Sequence, residues 1–397
     1  AAEIETRREA LVGIWREIGH VAAISFDASG FSDAMERAIA LAQEGPELAD
    51  LHSDLAYQTL IRAGMWSQPP DGALVSEWVE NALAVVAPHG AARAKALIAR
   101  CYSDYDKSPE MVAEATEIAE RLADATLLSH CDDLRGLIAL AEGDHAQALE
   151  WSRRRVARAN QIEDPDHGAD IHATAVVAAA AAGRFQEARE YAIAHDEITA
   201  ELSPHHRLHG VSTLLELEEL KGNWDAARRL RDRVEEAVQR NLGTPCLRNQ
   251  RSLVVLALAH AHMGDETEAR RLEVAAREFT MTGFGTAQDT PWMRLALLRG
   301  DLDTVETLLG DPGIRRTNWF YVSSVAGYLD GLAATEQEER LEQVAAPLLV
   351  RPGGYLEPFA LRALGKVRAD SALVARAVER FDALGLSWHA EQTRTGG

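Results

Sequence analysis

Residues 178–191 read AAAAAGRFQEAREY, and this stretch decides the fold. A run of alanine stops at Gly183-Arg184-Phe185, and a second alanine-spaced run follows. Alanine and the long unbranched side chains are the strongest helix formers. Gly183 marks the stop, because glycine takes the left-handed angles that close a helix. The stretch predicts two antiparallel helices joined by a tight turn.

The rest of the chain repeats this unit. Gly143, Gly183, Gly222, Gly264 and Gly300 lie 40, 39, 42 and 36 residues apart. Five positions after each stands a small residue, Ala148, Ala188, Ala227, Ala269 and Val305, which lets the second helix approach the first. Phe185 and Trp224, two after their glycines, are sized to wedge between paired helices. Pro165, Pro204, Pro245 and Pro291 fall between one unit and the next, where proline is tolerated at helix starts. The pattern extends outward more faintly. Residues 29–34, SGFSDA, match the turn with Phe31 and Ala34 in register, which places a second helix at 33–43. Further helices are expected at 48–63, 74–86, 91–101, 109–123, 318–334, 338–348, 358–367 and 371–384, separated by loops at 67–72, 104–108 and 351–354.

Alternating β-branched stretches are absent, so the chain reads as all-α. One hairpin of this kind cannot cover its own apolar face, and neighbours must do so. The expected architecture is a right-handed solenoid of antiparallel helix pairs, one domain over residues 1–397. Residues 281–289, MTGFGTAQD, are the best candidate for a bend between a stack at 1–280 and a stack at 290–397.

The net charge is −21, which argues against a nucleic-acid backbone or an anionic membrane as partner. Cys101, Cys131 and Cys246 are odd in number and widely spaced, so neither a disulfide framework nor a structural zinc site is indicated. A reduced, cytoplasmic setting is expected. No apolar stretch approaches the roughly 18 residues of a membrane span. The first residue is alanine rather than methionine, and the chain is expected to be a piece of a longer protein.

The pattern Gly-x-aromatic-x-x-Ala with a distal proline resembles the tetratricopeptide repeat, with a period longer than the usual ~34 residues. The closing stretch GYLEPFALRALG at 354–365, with RFDALGLSWHA at 380–390, is more specific. It resembles the C-terminal tails of bacterial signal-transduction ATPases fused to a class III adenylate or guanylate cyclase domain, and segments 54–66 and 204–211 are similar to the same group. LuxR-class regulators carry a comparable helical region. The resemblance implies a sensor or scaffold arm. The chain itself has no GxxxxGK[ST] loop to hold nucleotide phosphates and no recognisable cyclase core. ATPase and cyclase chemistry would belong to other parts of the parent protein.

Candidate chemistry is sparse. His205 and His209 are spaced i, i+4, as metal ligands on a helix can be. Without the glutamate of an HExxH motif they read more simply as solvated residues of a first turn capped by Ser203. His130-Cys131-Asp132-Asp133 reads as a polar helix start, Asp164-Pro165-Asp166-His167 as a loop, and Glu218-Glu219 and Glu235-Glu236 as surface partners of Arg228, Arg229, Arg231 and Arg233. Trp15, Trp66, Trp78, Trp292, Trp319 and Trp388 suit a ligand groove or core packing.

Aligned on the turn glycines, the first helices carry His130 and Asp133, then Asp170, then His209 and Ser212, then Arg251. These six are expected to line one polar groove that takes a protein or peptide segment, another domain of the parent, or a small molecule. No catalytic residue, resident metal or cofactor is assigned. The alternative is an enzyme with a histidine-assisted metal site in that groove.

Overall fold

Two opposite demands shape each hairpin of this chain: the helices must end in a tight turn, and the turn must leave their apolar faces in contact. In the computed structural model the described residues are 2–66, 68–103, 108–279, 286–310 and 319–396, and among them there are helices and no strand. The fold is all-α, built of antiparallel helix pairs of the tetratricopeptide type. The chain divides into two compact units, one of Ala1–Ile138 with Ala157–Asp166, the other of Ala139–Val156 with His167–Gly397.

The first unit holds α1 (Ala2–Ile24), α2 (Ala28–Leu41), α3 (Pro46–Ile61), α4 (Gly72–Val85), α5 (Ala91–Ser103), α6 (Pro109–Leu122) and most of α7 (Ala125–Ala141). Helix α1 packs on α2, α3 on both α4 and α5, and α5 on α6. Phe31, Met35 and Leu51 centre one core cluster, and Leu97, Ile98, Val112 and Ile118 another. One expectation fails here. Ser29 and Gly30 lie inside α2, not in a turn. Asp27 caps that helix by accepting from the Gly30 N–H, and a capping carboxylate is a stronger start signal than a glycine three residues on. Phe31 and Ala34 keep their register and are buried.

The acidic motifs also differ from their reading. His130, Cys131 and Asp132 are buried in the second turn of α7, and Asp132 is paired with Arg158. Asp164 and Asp166 flank a helix-starting proline rather than fill a loop, and both pair with the buried Arg62.

The second unit continues with α8 (His145–Val156), α9 (Pro165–Ala181), α10 (Phe185–Ala200), α11 (Pro204–Lys221), α12 (Trp224–Arg229), α13 (Arg231–Arg240), α14 (Leu247–His262) and α15 (Glu266–Arg277). It ends with α16 (Thr286–Arg299), α17 (Leu302–Leu308), α18 (Tyr321–Ala334), α19 (Glu338–Val350), α20 (Leu356–Val367), α21 (Ser371–Ala383) and α22 (Ser387–Thr395). The five repeat glycines all turn left-handed, with φ of 76°, 71°, 68°, 78° and 70°. At Gly222 the Asn223 N–H reaches back to the Glu218 carbonyl at 2.9 Å, the closure that ends helices at glycine. The small residues five positions on are all fully buried.

The expected bend falls partly on residues 281–285, and the start of the 318–334 helix on residue 318. Both lie outside the described residues, as do 67 and 104–107 of the expected loops. Residues 286–289 are helical. Pro291 is not between units but inside α16.

Extensive packing runs between helices next or next-but-one in the chain. Further contacts join distant hairpins of the second unit, against the expectation that each hairpin meets only its neighbours. The Tyr355 N–H donates to the Ala181 carbonyl at 2.9 Å. The Tyr355 hydroxyl donates to the Leu220 carbonyl at 2.8 Å. The last four carbonyls of a helix have no partner within it, and Ala181 and Leu220 end α9 and α11. Tyr355 thus supplies donors that these two carbonyls lack within their own helices.

Candidate functional site

Helices α11 and α14 face each other through side chains spaced by three and four residues, which therefore share one helix face. Ser212 Oγ meets Ser252 Oγ at 2.7 Å. Arg248 donates to Thr213 Oγ1 at 3.1 Å and lies 3.5 Å from Glu216. Arg251 donates to Glu219 Oε2 at 2.9 Å. These contacts form a ladder along the two helices.

The last rung reaches two more helices. Arg294 of α16 donates to the other oxygen of Glu219 at 3.0 Å. Arg251 also donates to Ser323 Oγ of α18 at 2.9 Å and to the Ala287 carbonyl at 2.8 Å. Pro291 has no N–H, so the carbonyl four residues earlier, that of Ala287, lacks its helical donor. The Arg251 guanidinium takes the place of that donor. Glu219 is 0% and Arg251 1% exposed, so every charge in the cluster must be matched. Glu219 is thus a buried junction rather than a surface acid, and Glu218 pairs with Arg189 and Lys221, whereas Arg228, Arg229, Arg231 and Arg233 do make exposed pairs with Asp225, Asp232 and Asp196.

Above the ladder a narrow recess opens, with room for about 30 Å³. Thr213, Glu216 and Arg248 form its polar side, α9 lines it with Ala173, Val176, Val177 and Ala180, and Trp319, Phe320, Val322 and Ser323 close it. The Arg248 guanidinium lies 5.3 Å from the Phe320 ring centre and 5.8 Å from that of Trp319. Trp319 is 39% exposed. Glu216 Oε1 is buried with no hydrogen-bond partner among the described residues. Burial pushes this carboxyl above its usual range against the pull of Arg248 and Arg251. An orphaned buried acceptor is costly. A ligand bringing an N–H or O–H donor to Oε1 would remove that cost, while the aromatic wall would cover an apolar group. The hydroxyls here are committed: Thr213 donates to the His209 carbonyl and Ser323 to that of Phe320.

The six residues singled out in the sequence are placed as follows. His130 and Asp133 lie in the first unit and share the Tyr102 hydroxyl, which donates to Asp133 Oδ2 at 2.8 Å and is 3.3 Å from His130 Nδ1. Asp170 accepts from Arg155 at 2.6 Å. Ser212 and Arg251 are buried in the ladder. His209 packs beside His205, with ring centres 4.3 Å apart. The recess is lined instead by Glu216, Arg248 and Trp319. Trp319 was legible only as one of several tryptophans, and Glu216 carries no motif at all.

The first unit has its own concavity of about 200 Å³, lined by Arg16, Glu17, His20, Asp54, Gln58 and Lys95 among others. Asp54 accepts from Arg16 at 2.5 Å and from Lys95 at 2.8 Å. Burial alone would raise the Asp54 carboxyl, but Lys95 and Arg16 hold it below the usual range. Its acid is therefore already matched by two cations.

No known family profile and no curated protein matches the sequence. Among solved structures, the fold is similar to that in the crystal structure of a Rap protein complexed with Competence and Sporulation Factor. The TM-score is 0.52 at 10% identity, covering 98% of this chain and 96% of that one. At that identity the likeness shows the fold alone, a tetratricopeptide-like helical repeat. No helix among the described residues is long and apolar enough to cross a membrane.

Proposed function

We propose that this chain is a non-catalytic binding module, the sensor or scaffold arm of a bacterial signalling protein that works in the cytoplasm. The carrying observation is the orphaned Glu216 Oε1 beside Arg248 in a recess walled by Trp319 and Phe320. That combination suits a peptide segment, or a domain of the parent protein, that brings one donor group and one apolar side chain. The structurally similar Rap protein is complexed with Competence and Sporulation Factor, which supports a ligand-binding use of this fold. The resemblance of residues 354–365 and 380–390 to the tails of cyclase-fused ATPases supports the placement in a signalling parent.

Binding would act by population shift. A ligand touching α9, α11 and α18 together favours the arrangement in which all three are at contact distance, and only such a preference moves an equilibrium. Arrays stabilised mainly by neighbour contacts respond readily to it. The test is a peptide-library selection on the full chain, followed by affinity measurement on Glu216→Gln and Arg248→Ala. Selected peptides should lose roughly five- to 150-fold in affinity on either variant, since an unmatched buried polar partner is worth about 1–3 kcal/mol. Peptides bound equally by wild type and both variants would reject the recess. Sequencing upstream of Ala1 tests the signalling parent: a phosphate loop and cyclase core are expected there.

A further inference from the structure

His205 and His209 of α11 come together with Cys246, the N-cap residue of α14. One ligand atom from each lies within 4.8 Å of the other two. The Cys246 sulfur is 3.5 Å from His209 Nε2. Zinc–nitrogen and zinc–sulfur bonds of about 2.0–2.1 and 2.3 Å at a tetrahedral angle put nitrogen and sulfur about 3.5 Å apart. The pair is spaced as two ligands of one ion. His205 and His209 are one helical turn apart on α11, the first buried and the second half-buried. This departs from the solvated first turn that the sequence suggested.

The surroundings resemble the supporting shell of a metal site. His205 Nδ1 is 3.3 Å from the Thr244 carbonyl. Metal-binding histidines usually hold such an acceptor on one ring nitrogen, which fixes the ring. Cys246 is the N-cap of α14, and its sulfur accepts from the Asn249 N–H. Asn249 holds the loop by accepting from the Cys246 N–H and from Asn241 Nδ2, both at 2.9 Å. The Arg248 guanidinium is engaged by Thr213 and Glu216. Cys246 and His209 are half-buried rather than sealed, which leaves a path for an ion.

We propose that His205, His209 and Cys246 form a binding site for a zinc-class divalent cation, which ties the first turn of α11 to the cap of α14. On binding, the Cys246 S–H bond breaks, its proton leaves to solvent, and a metal–sulfur bond forms. Three protein ligands leave a fourth position for water or a further ligand. The proposal stands whether or not the recess binds a peptide.

The test uses the full chain, stripped with a chelator and titrated with Co²⁺, then Zn²⁺. One equivalent of Co²⁺ should give the near-ultraviolet thiolate-to-cobalt band, and Zn²⁺ should displace it. Cys246→Ser should abolish the band, and His209→Gln should weaken binding about tenfold or more. The wild-type chain gives a second readout that needs no variant. Zn²⁺ should protect Cys246 from alkylation as mapped by mass spectrometry, while Cys101 and Cys131 are buried in either case. A wild type without the band, a band that survives in Cys246→Ser, or alkylation of Cys246 indifferent to Zn²⁺ would overturn the proposal.

Discussion

His389 Nε2 donates a hydrogen bond of 3.0 Å to the carbonyl oxygen of Leu220, 169 residues earlier in the chain. The preceding residue, Trp388, stands edge-on to Trp224 and to His262, with ring centres 5.2 and 5.0 Å away. The last helix is thus bound to the turn that ends α11, and the second unit is fastened by its own C-terminus.

That fastening predicts a difference between two equivalent glycines. Gly222 and Gly264 are both left-handed, at φ 68° and 78°. A Cβ on Gly222 would stand 2.5 Å from the Trp388 ring, whereas one on Gly264 meets open space. Gly264→Ala should cost only the backbone term, about 1 kcal/mol. Gly222→Ala should cost about 1–3 kcal/mol more. Urea denaturation of the two variants checks this, and measured against Trp388→Ala alone, Gly222→Ala should cost no more than Gly264→Ala does in the wild type.

Stability should fall in mild acid. Burial, with help from nearby arginines, holds His389 well below its ordinary pKa. Burial likewise takes His195 down to about 3 and His262 to about 4. Above pH ~6.5 neither the folded nor the unfolded chain protonates these rings, so they add no pH dependence. Below it the unfolded chain binds protons that the folded chain does not. Each ring then lowers stability by up to about 1.4 kcal/mol per pH unit, down to its folded pKa. Urea midpoints should be flat between pH 8 and 7 and should fall steadily from about 6.5 to 4.

Arg251 is expected to govern stability rather than ligand affinity. Arg251→Ala strips Glu219 of one of its two arginines and removes the donor to the Ala287 carbonyl. Breaking a buried ion pair costs about 3–5 kcal/mol. Part of this cost depends on Pro291. In a Pro291→Ala background the new N–H can satisfy Ala287, so the cost of Arg251→Ala should shrink by about 0.5–1.5 kcal/mol. A double-mutant cycle in urea measures the coupling, and strict additivity would contradict the assigned role.

Trp319 should behave in the opposite way. Its ring is half in solvent at the mouth of the recess, so Trp319→Ala should change stability by less than about 1 kcal/mol. The same change should weaken selected peptides by roughly tenfold or more, as loss of an aromatic anchor does.

The repeat was legible because its physics is local. A glycine that must turn left-handed, a small residue five positions on and a proline at a helix start each leave a mark in sequence, and Gly183, Ala188 and Pro204 behave as read. Reading failed where a partner lies far along the chain. Asp27 is the exception, a local start signal two residues before Ser29 that outweighs the glycine. Nothing around Glu219 shows that Arg251 and Arg294 will meet it, or that Leu220 awaits His389. The polar positions expected in a groove were identified as polar, but pattern alone does not separate a polar residue facing solvent from one matched inside a core. Ser212 and Arg251 are of the second kind. Glu216 and Trp319 border the recess because of where α9 and α18 come in space.

The most direct test of the account is a crystal structure of the full chain with a peptide selected against it. The account predicts peptide density in the recess, with a donor within hydrogen-bond distance of Glu216 Oε1 and an apolar side chain against Trp319. A peptide bound elsewhere on the second unit, with the recess left as it is without ligand, would contradict it.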